Sequence, residues 1–224
     1  MSRFVLVCGM NHGGWWYEPL AERLEAHGHT AVPLTLTGLE PTPDHARTIT
    51  LDTHVADVVR AVDETAEPGV RDVVLVGHSY GGLPITGAAD ARADVVSALV
   101  YLDAFLPEDG DSGWALTNDD ERAWYVADSR RLGHAVDPLP FFDERARPHP
   151  VATLHQALRL TGAWRSVPTK VYVEALDWPG ESPHRQSIDR AAADPQFVCH
   201  AWDTRHNVMH DGPDRVLALL RGLV

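Results

Sequence analysis

Six short runs of apolar, mostly β-branched residues recur along the chain: Phe4 to Cys8, Ala31 to Leu36, Val73 to Val76, Val95 to Leu102, Val171 to Val173 and Phe197 to Ala201. Uninterrupted apolar runs of this length predict strands buried on both faces. Between several of them the apolar positions return every three or four residues, which predicts helices over Tyr17 to Ala26, Leu51 to Asp63, Leu83 to Arg92, Arg185 to Ala193 and Pro213 to Leu223. In the second of these, Val55, Val58, Val59 and Val62 share one face. Strand alternating with helix predicts an α/β fold: a six-stranded, mostly parallel sheet flanked by helices, with ligand sites at the carboxyl ends of the strands. The alternation stops between about Leu106 and Trp164. No strand is evident there, and Pro107, Gly110, Gly113, Pro138, Pro140, Pro148 and Pro150 punctuate a polar, aromatic stretch. A structureless loop of that length is uncommon, so residues 106–165 are expected to form a helical cap inserted in a single domain spanning 1–224.

Composition narrows the partners. The chain has 224 residues and a net charge of −13, and its basic residues, 18 Arg and Lys170, are dispersed. Nucleic acid and anionic membranes demand clustered positive charge, so both are poor partners. Two cysteines, Cys8 and Cys199, make no disulfide framework and no CxxC pair. The apolar run at Phe4 to Cys8 is too short for a secretory core, and nothing approaches a membrane span of about 20 residues. The expectation is a cytoplasmic protein that acts on a small molecule, with oligomeric state unreadable.

The chemistry centres on Gly77-His78-Ser79-Tyr80-Gly81. This fits G-x-S-x-G, where small flanking residues permit a sharp strand-to-helix turn that exposes the serine hydroxyl. The bare pattern is weak, since it arises by chance in roughly one of a dozen chains this long. Its setting is stronger: a β-branched strand precedes it and a helix with small residues follows.

With FVLVCGMNHGGWW near the start, TLTGL, LDTHVADVV, GHSYGG, LVYLDAFLPEDG and RHNVMHDGP near the end, the chain resembles the α/β-hydrolase superfamily over nearly its whole length. The resemblance is closest to the branch of small plant methyl esterases and hydroxynitrile lyases. It implies that the first strand here corresponds to the third of that fold. It also implies a cofactor-free and metal-free serine hydrolase in which Ser79 attacks, His206 in the loop after the last strand takes its proton, and a carboxylate orients the imidazole. Two acids compete: Asp103, directly at the end of its strand in VYLDAF, and Asp177 after the penultimate strand in VYVEALDW, with Glu174 a weaker choice. Asp103 is favoured, although a turn-forming aspartate is its rival reading. The resemblance places oxyanion donors at the backbone N–H groups of Tyr80 and Met10.

Other residues are weighed against simpler roles. His210, four residues after His206, is read as helix-start polarity rather than a metal ligand, because no third ligand and no H-E-x-x-H pattern accompany it. Cys8 stands where the family usually has His. His12 either touches substrate or holds its turn, and Trp15 and Trp16 are expected to pack the first helix against the sheet. Trp114, Trp124, Tyr125, Phe141, Phe142 and Trp164 are candidates to line a pocket for an apolar or aromatic substrate. Ser79 stands where epoxide hydrolases and haloalkane dehalogenases carry Asp, which argues against both reactions. Gly9 and Asn207 replace the Thr and Lys of the hydroxynitrile lyases, which argues against lyase chemistry. Cleavage of a small carboxylic ester or lactone through an acyl-enzyme is the leading expectation. The rivals are a tailoring reaction on an aromatic substrate and a ligand-binding homologue without turnover. Between Leu106 and Pro150 ten Asp and Glu face five Arg, a balance that favours neutral or cationic substrates at the entrance.

Overall fold

The computed structural model of the chain describes residues 1–41 and 48–224. Strand and helix alternate through β1 (Arg3–Val7), α1 (Glu18–Ala26), β2 (Thr30–Leu34), α2 (Leu51–Thr65), β3 (Val73–His78), α3 (Gly82–Ala91) and β4 (Val96–Leu102). There follow α4 (Gly113–Leu116), α5 (Asp119–Ser129), β5 (Ala135–Val136), β6 (His149–Pro150) and α6 (Ala152–His155). Alternation resumes with β7 (Thr169–Ala175), α7 (Arg185–Ala193), β8 (Phe197–Trp202), α8 (Val208–Asp211) and α9 (Pro213–Arg221). Each core element expected from the apolar pattern is present, with ends shifted by no more than two residues, the usual uncertainty of a helix or strand terminus.

The main sheet is parallel throughout, in the order β2-β1-β3-β4-β7-β8. Successive side chains go to opposite faces. Val5, Val7, Val73 and Leu75 join one core cluster with α2 and α3, whereas Phe4, Leu6, Val74 and Val76 join another with α1 and α9. Each such fully buried side chain stabilises the fold by about 1.5–3 kcal/mol before entropy is counted. Two strands depart from the expectation of burial on both faces. β8 is an edge strand with Val198 55% exposed, and β2 is the opposite edge, where Pro33, which has no N–H to donate, is tolerated. An apolar run looks the same at an edge as at the centre, so the pattern alone does not separate them.

The stretch from 106 to 165 is mostly helix and turn, yet it also holds a strand pair that the sequence did not announce. β5 and β6 form a two-residue antiparallel ribbon, too short to impose any periodicity. Asn11 fastens this ribbon to the loop after β1: its Nδ2 donates to the carbonyls of Val136 at 3.0 Å and Arg147 at 2.8 Å. Among the described residues no helix is long and apolar enough to cross a membrane.

The strand order decides where a site forms. The chain moves outward from β1 to β2 and then returns to β3 on the other side of β1. The loops at the carboxyl ends of β1 and β3 therefore leave in opposite directions and open a crevice, and Gly9, Met10 and Ser79 stand in it.

Candidate active site

Ser79 follows β3 directly and has φ +54°, a left-handed conformation that a non-glycine residue adopts only when its surroundings force it. The turn is tight. A Cβ on Gly77 would lie 2.8 Å from the Gly81 carbonyl group, which explains why the motif needs small residues on both sides of the serine. The Ser79 carbonyl accepts the Phe105 N–H at 3.0 Å, tying this turn to the one after β4. Gly9, from the neighbouring β1 loop, approaches so closely that a Cβ there would lie 2.8 Å from the Ser79 Cβ.

Asp103 sits at the end of β4, fully buried, also with positive φ at +44°. Its N–H donates to the Val173 carbonyl at 2.7 Å, and its Oδ2 receives the Trp178 indole N–H at 2.9 Å. The same oxygen lies 2.7 Å from His206 Nδ1. Burial pushes the Asp103 carboxyl up, but the hydrogen bond from His206, the neighbouring imidazole charges and the Trp178 N–H outweigh it and hold the group below the usual carboxylate range. An ionised carboxylate only accepts, so Nδ1 of His206 carries the proton and Nε2 is left as the basic nitrogen.

His206 stands in the loop between β8 and α8 and is held from three sides. The buried His78 donates from Nε2 to the His206 carbonyl at 3.0 Å, and burial holds His78 well below the usual imidazole range, so it is a neutral donor. The Trp178 ring lies 4.8 Å from the His206 ring. His184 stacks on His206 with centroids 5.2 Å apart and planes 18° apart. Burial holds His184 at about 3 despite the charge of Asp103, and its Nδ1 has no hydrogen-bond partner. Asp103, His184 and His206 have ligand atoms within 4.8 Å of one another, the arrangement among the described residues best able to take a metal ion. The bond between Asp103 and His206 already occupies Nδ1 and Oδ2.

Ser79 and His206 line one cavity of about 210 Å³. The lining also takes Gly9 and Met10 from the loop after β1, Phe105 from the turn after β4, Trp178 and His184 from the segment between β7 and α7, and Glu121, Trp124, Tyr125, Leu139, Phe141 and Phe142 from residues 106–165, here called the roof. The Tyr80 side chain points elsewhere, with its hydroxyl 2.8 Å from His54 Nδ1 and fully buried. Only the Tyr80 backbone belongs to the serine turn. Cys8, at the position where the family has His, donates from Sγ to the Gly13 carbonyl at 3.1 Å and so still braces the loop. His12 holds its turn, with its Nδ1 2.7 Å from the Met10 carbonyl, and its ring also lines the cavity.

Several expected positions fall outside. Asp177 and Glu174 do not meet His206. The Asp177 backbone bonds to Thr204 and the residue is exposed, while Glu174 pairs with Arg185 at 2.9 Å. Trp114 stacks on His155, and Trp164, following a turn at Gly162, is buried with its N–H on Asp90, so neither lines the cavity. Trp16 packs on the α1 and α9 side of the sheet as expected, but Trp15 carries the Arg145 guanidinium 4.1 Å over its ring. His210 is exposed beside Asp211. Sequence reasoning missed His184, Trp178 and Glu121, which no motif marks. His78 lies inside the GHSYGG motif, which constrains its backbone and assigns its side chain no role.

A parallel sheet with a strained serine turn, a buried aspartate and a loop histidine at its carboxyl edge defines the class, and residues 4–219 match the alpha/beta hydrolase family. The chain belongs to that family. It is 34% identical over 246 residues to a carbendazim hydrolyzing esterase of Nocardioides sp. (strain SG-4G), with all of both chains covered. It is 36% identical over 109 residues to methylesterase 2 of Arabidopsis thaliana, a match covering 48% of this chain and 41% of that one. Among solved structures, an extracellular alpha/beta-hydrolase from a Paenibacillus species superposes with a TM-score of 0.78 at 19% identity, covering 100% of this chain and 99% of that one. The protein is an enzyme, a hydrolase acting on ester bonds.

Proposed function

We propose that the protein is a serine hydrolase that cleaves a small carboxylic ester or lactone through an acyl-enzyme. The observation that carries this reading is the 2.7 Å contact between Asp103 and His206 Nδ1, with Ser79 and the His206 ring on the wall of one cavity. Ser79 Oγ attacks the ester carbonyl carbon while its proton passes to His206 Nε2, and Asp103 stabilises the imidazolium that forms. The carbonyl oxygen becomes an oxyanion and takes hydrogen bonds from the backbone N–H groups of Tyr80 and Met10. Collapse of the tetrahedral intermediate expels the alcohol, which receives the proton from His206. Water then attacks acyl-Ser79 by the same route, releasing the carboxylic acid and restoring the serine. Residues 106–165 act as a cap within a single domain and set specificity, and the aromatic walls select an apolar or aromatic substrate. The cavity is smaller than the 300–1,000 Å³ of drug-sized ligand pockets, which limits the substrate to a single small ring system or a short chain.

A fluorophosphonate probe tests the nucleophile directly. The wild-type protein should be labelled at Ser79 and should hydrolyse an activated chromogenic acetate, while folded Ser79→Ala should do neither. Turnover surviving in pure Ser79→Ala protein would end the serine mechanism.

A further inference from the structure

Glu121 is the discordant residue of the cavity. Apart from Ser79 and Asn207, the other lining side chains are aromatic, aliphatic or imidazole, and among the described residues no Lys, Arg or second carboxylate lines it. Glu121 sits in the first turn of α5, where its N–H is capped by Asn118 Oδ1 at 2.9 Å. A glutamate at this position commonly reaches back to the N-cap backbone. Here the side chain lies against the Tyr125 phenol and within electrostatic reach of His206. Burial raises the Glu121 carboxyl above its usual range, and burial together with the Glu121 charge raises the Tyr125 phenol. A half-buried carboxylate without a cationic partner of its own is costly unless something else supplies one.

The ligand is the group that can supply it. We propose that Glu121 is a recognition carboxylate that binds a positively charged or N–H-donating group carried by the aromatic part of the substrate. This rests on reading the cavity as the ester-binding site. The neighbouring Trp124, Phe142 and Trp178 add ring faces that attract the same cation. The excess of acidic residues over 106–150 acts in the same direction at longer range, drawing cations and repelling acids. The substrate class is therefore an ester attached to an amino-, amidino- or N–H-bearing aromatic ring, and free aromatic acids are disfavoured. The alternative role for Glu121, stabilising protonated His206, would affect every ester alike and would produce no preference among ligands that do not react.

Binding of inert ligands tests the proposal without turnover. Benzamidinium, benzamide and acetophenone have nearly the same shape and carry a cation with N–H groups, N–H groups alone, and neither. Each is titrated into the purified protein at neutral pH by calorimetry, with the fluorescence of the wall tryptophans as a second signal. The wild type should bind benzamidinium about tenfold or more tighter than acetophenone, with benzamide between, the ratio expected of a charge-assisted hydrogen bond. Glu121→Gln keeps the side-chain volume and a hydrogen bond to Tyr125 and should abolish most of that ratio. Asp120→Asn removes the same charge from an exposed neighbour on the same helix and should keep it. Equal affinities in the wild type, no binding of any of the three, or equal loss in the two variants would overturn the proposal. A protein that shows the affinity order but cleaves no ester would lose the serine mechanism and keep this subsite.

Discussion

Asp103 and His206 are joined by a single short hydrogen bond, Oδ2 to Nδ1 at 2.7 Å, although 103 residues of chain separate them. β4 delivers the first and the loop after β8 the second. Asp177, the other acid the sequence offered, is exposed and bonds through its backbone to Thr204. Asp103→Asn should therefore lower kcat on the order of 10³- to 10⁴-fold, because an amide at that site no longer fixes the proton on Nδ1. Asp177→Asn should stay within about threefold of wild type, the range of a surface change away from the reacting groups. Both are read with one chromogenic ester on proteins checked by circular dichroism. A larger loss in Asp177→Asn would reverse the assignment.

Trp178 donates to the same Asp103 oxygen at 2.9 Å and also packs on the His206 ring. Trp178→Phe removes the donor and keeps most of the ring. The lost hydrogen bond is one of the influences that hold the Asp103 carboxyl down, so the carboxyl should protonate at higher pH in the variant. The carboxylate then holds the His206 ring less firmly, and kcat/KM should fall about tenfold at neutral pH, the scale of one hydrogen bond to a charged group. A loss of less than about twofold would show that Trp178 merely fills space.

The legible parts of this protein are those with a period or a fixed turn. Val73 to Val76 and the valines of α2 declare strand and helix through spacing, and Ser79 declares itself because only small residues fit around its turn. Asp103 was identifiable from its place at a strand end. His184 and Trp178 were not, because both lie in the irregular segment between β7 and α7, where no repeat constrains a side chain's direction. The roof was half legible for a similar reason. Trp124, Tyr125, Phe141 and Phe142 reach the cavity while Trp114 and Trp164 turn away, and aromatic composition is the same in both cases. Glu121 shares the first turn of its helix with two further acids, Asp119 and Asp120, and only the fold separates a cavity residue from a solvated one.

Gly9 offers a steric test of how firmly Ser79 is held. A Cβ at Gly9 would lie 2.8 Å from the Ser79 Cβ, 3.1 Å from His78 Nδ1 and 3.3 Å from Ser79 Oγ. Gly9→Ala therefore has to displace the serine turn or the β1 loop, and both line the cavity at Ser79. A shift approaching 1 Å at the reacting atoms costs about a hundredfold in rate. The expected result is a loss of that order in kcat, with fluorophosphonate labelling slowed in proportion. A variant that labels at the wild-type rate would show that the loop yields without moving Ser79.

Four buried histidines, His54, His78, His149 and His184, link stability to pH. Desolvation lowers all four, and His184 is held at about 3. The unfolded chain takes up these protons as pH falls through about 6.5, whereas the folded protein does not. The stability they contribute is thus complete above that pH and is lost progressively toward the folded value. Between pH 7 and pH 5 His184 alone should remove about 2 kcal/mol. The depressed carboxyls of Asp63, Asp90, Asp103, Asp143 and Asp211 act only at lower pH, and the raised Glu121 carboxyl is common to wild type and a His184 variant, so the difference between those two proteins reports His184. Urea unfolding of wild type and His184→Gln at the two pH values gives the comparison. The variant should lose about 2 kcal/mol less than the wild type across the interval, whatever its absolute stability. Equal losses in the two proteins would mean that His184 gains its proton in the native state despite its burial.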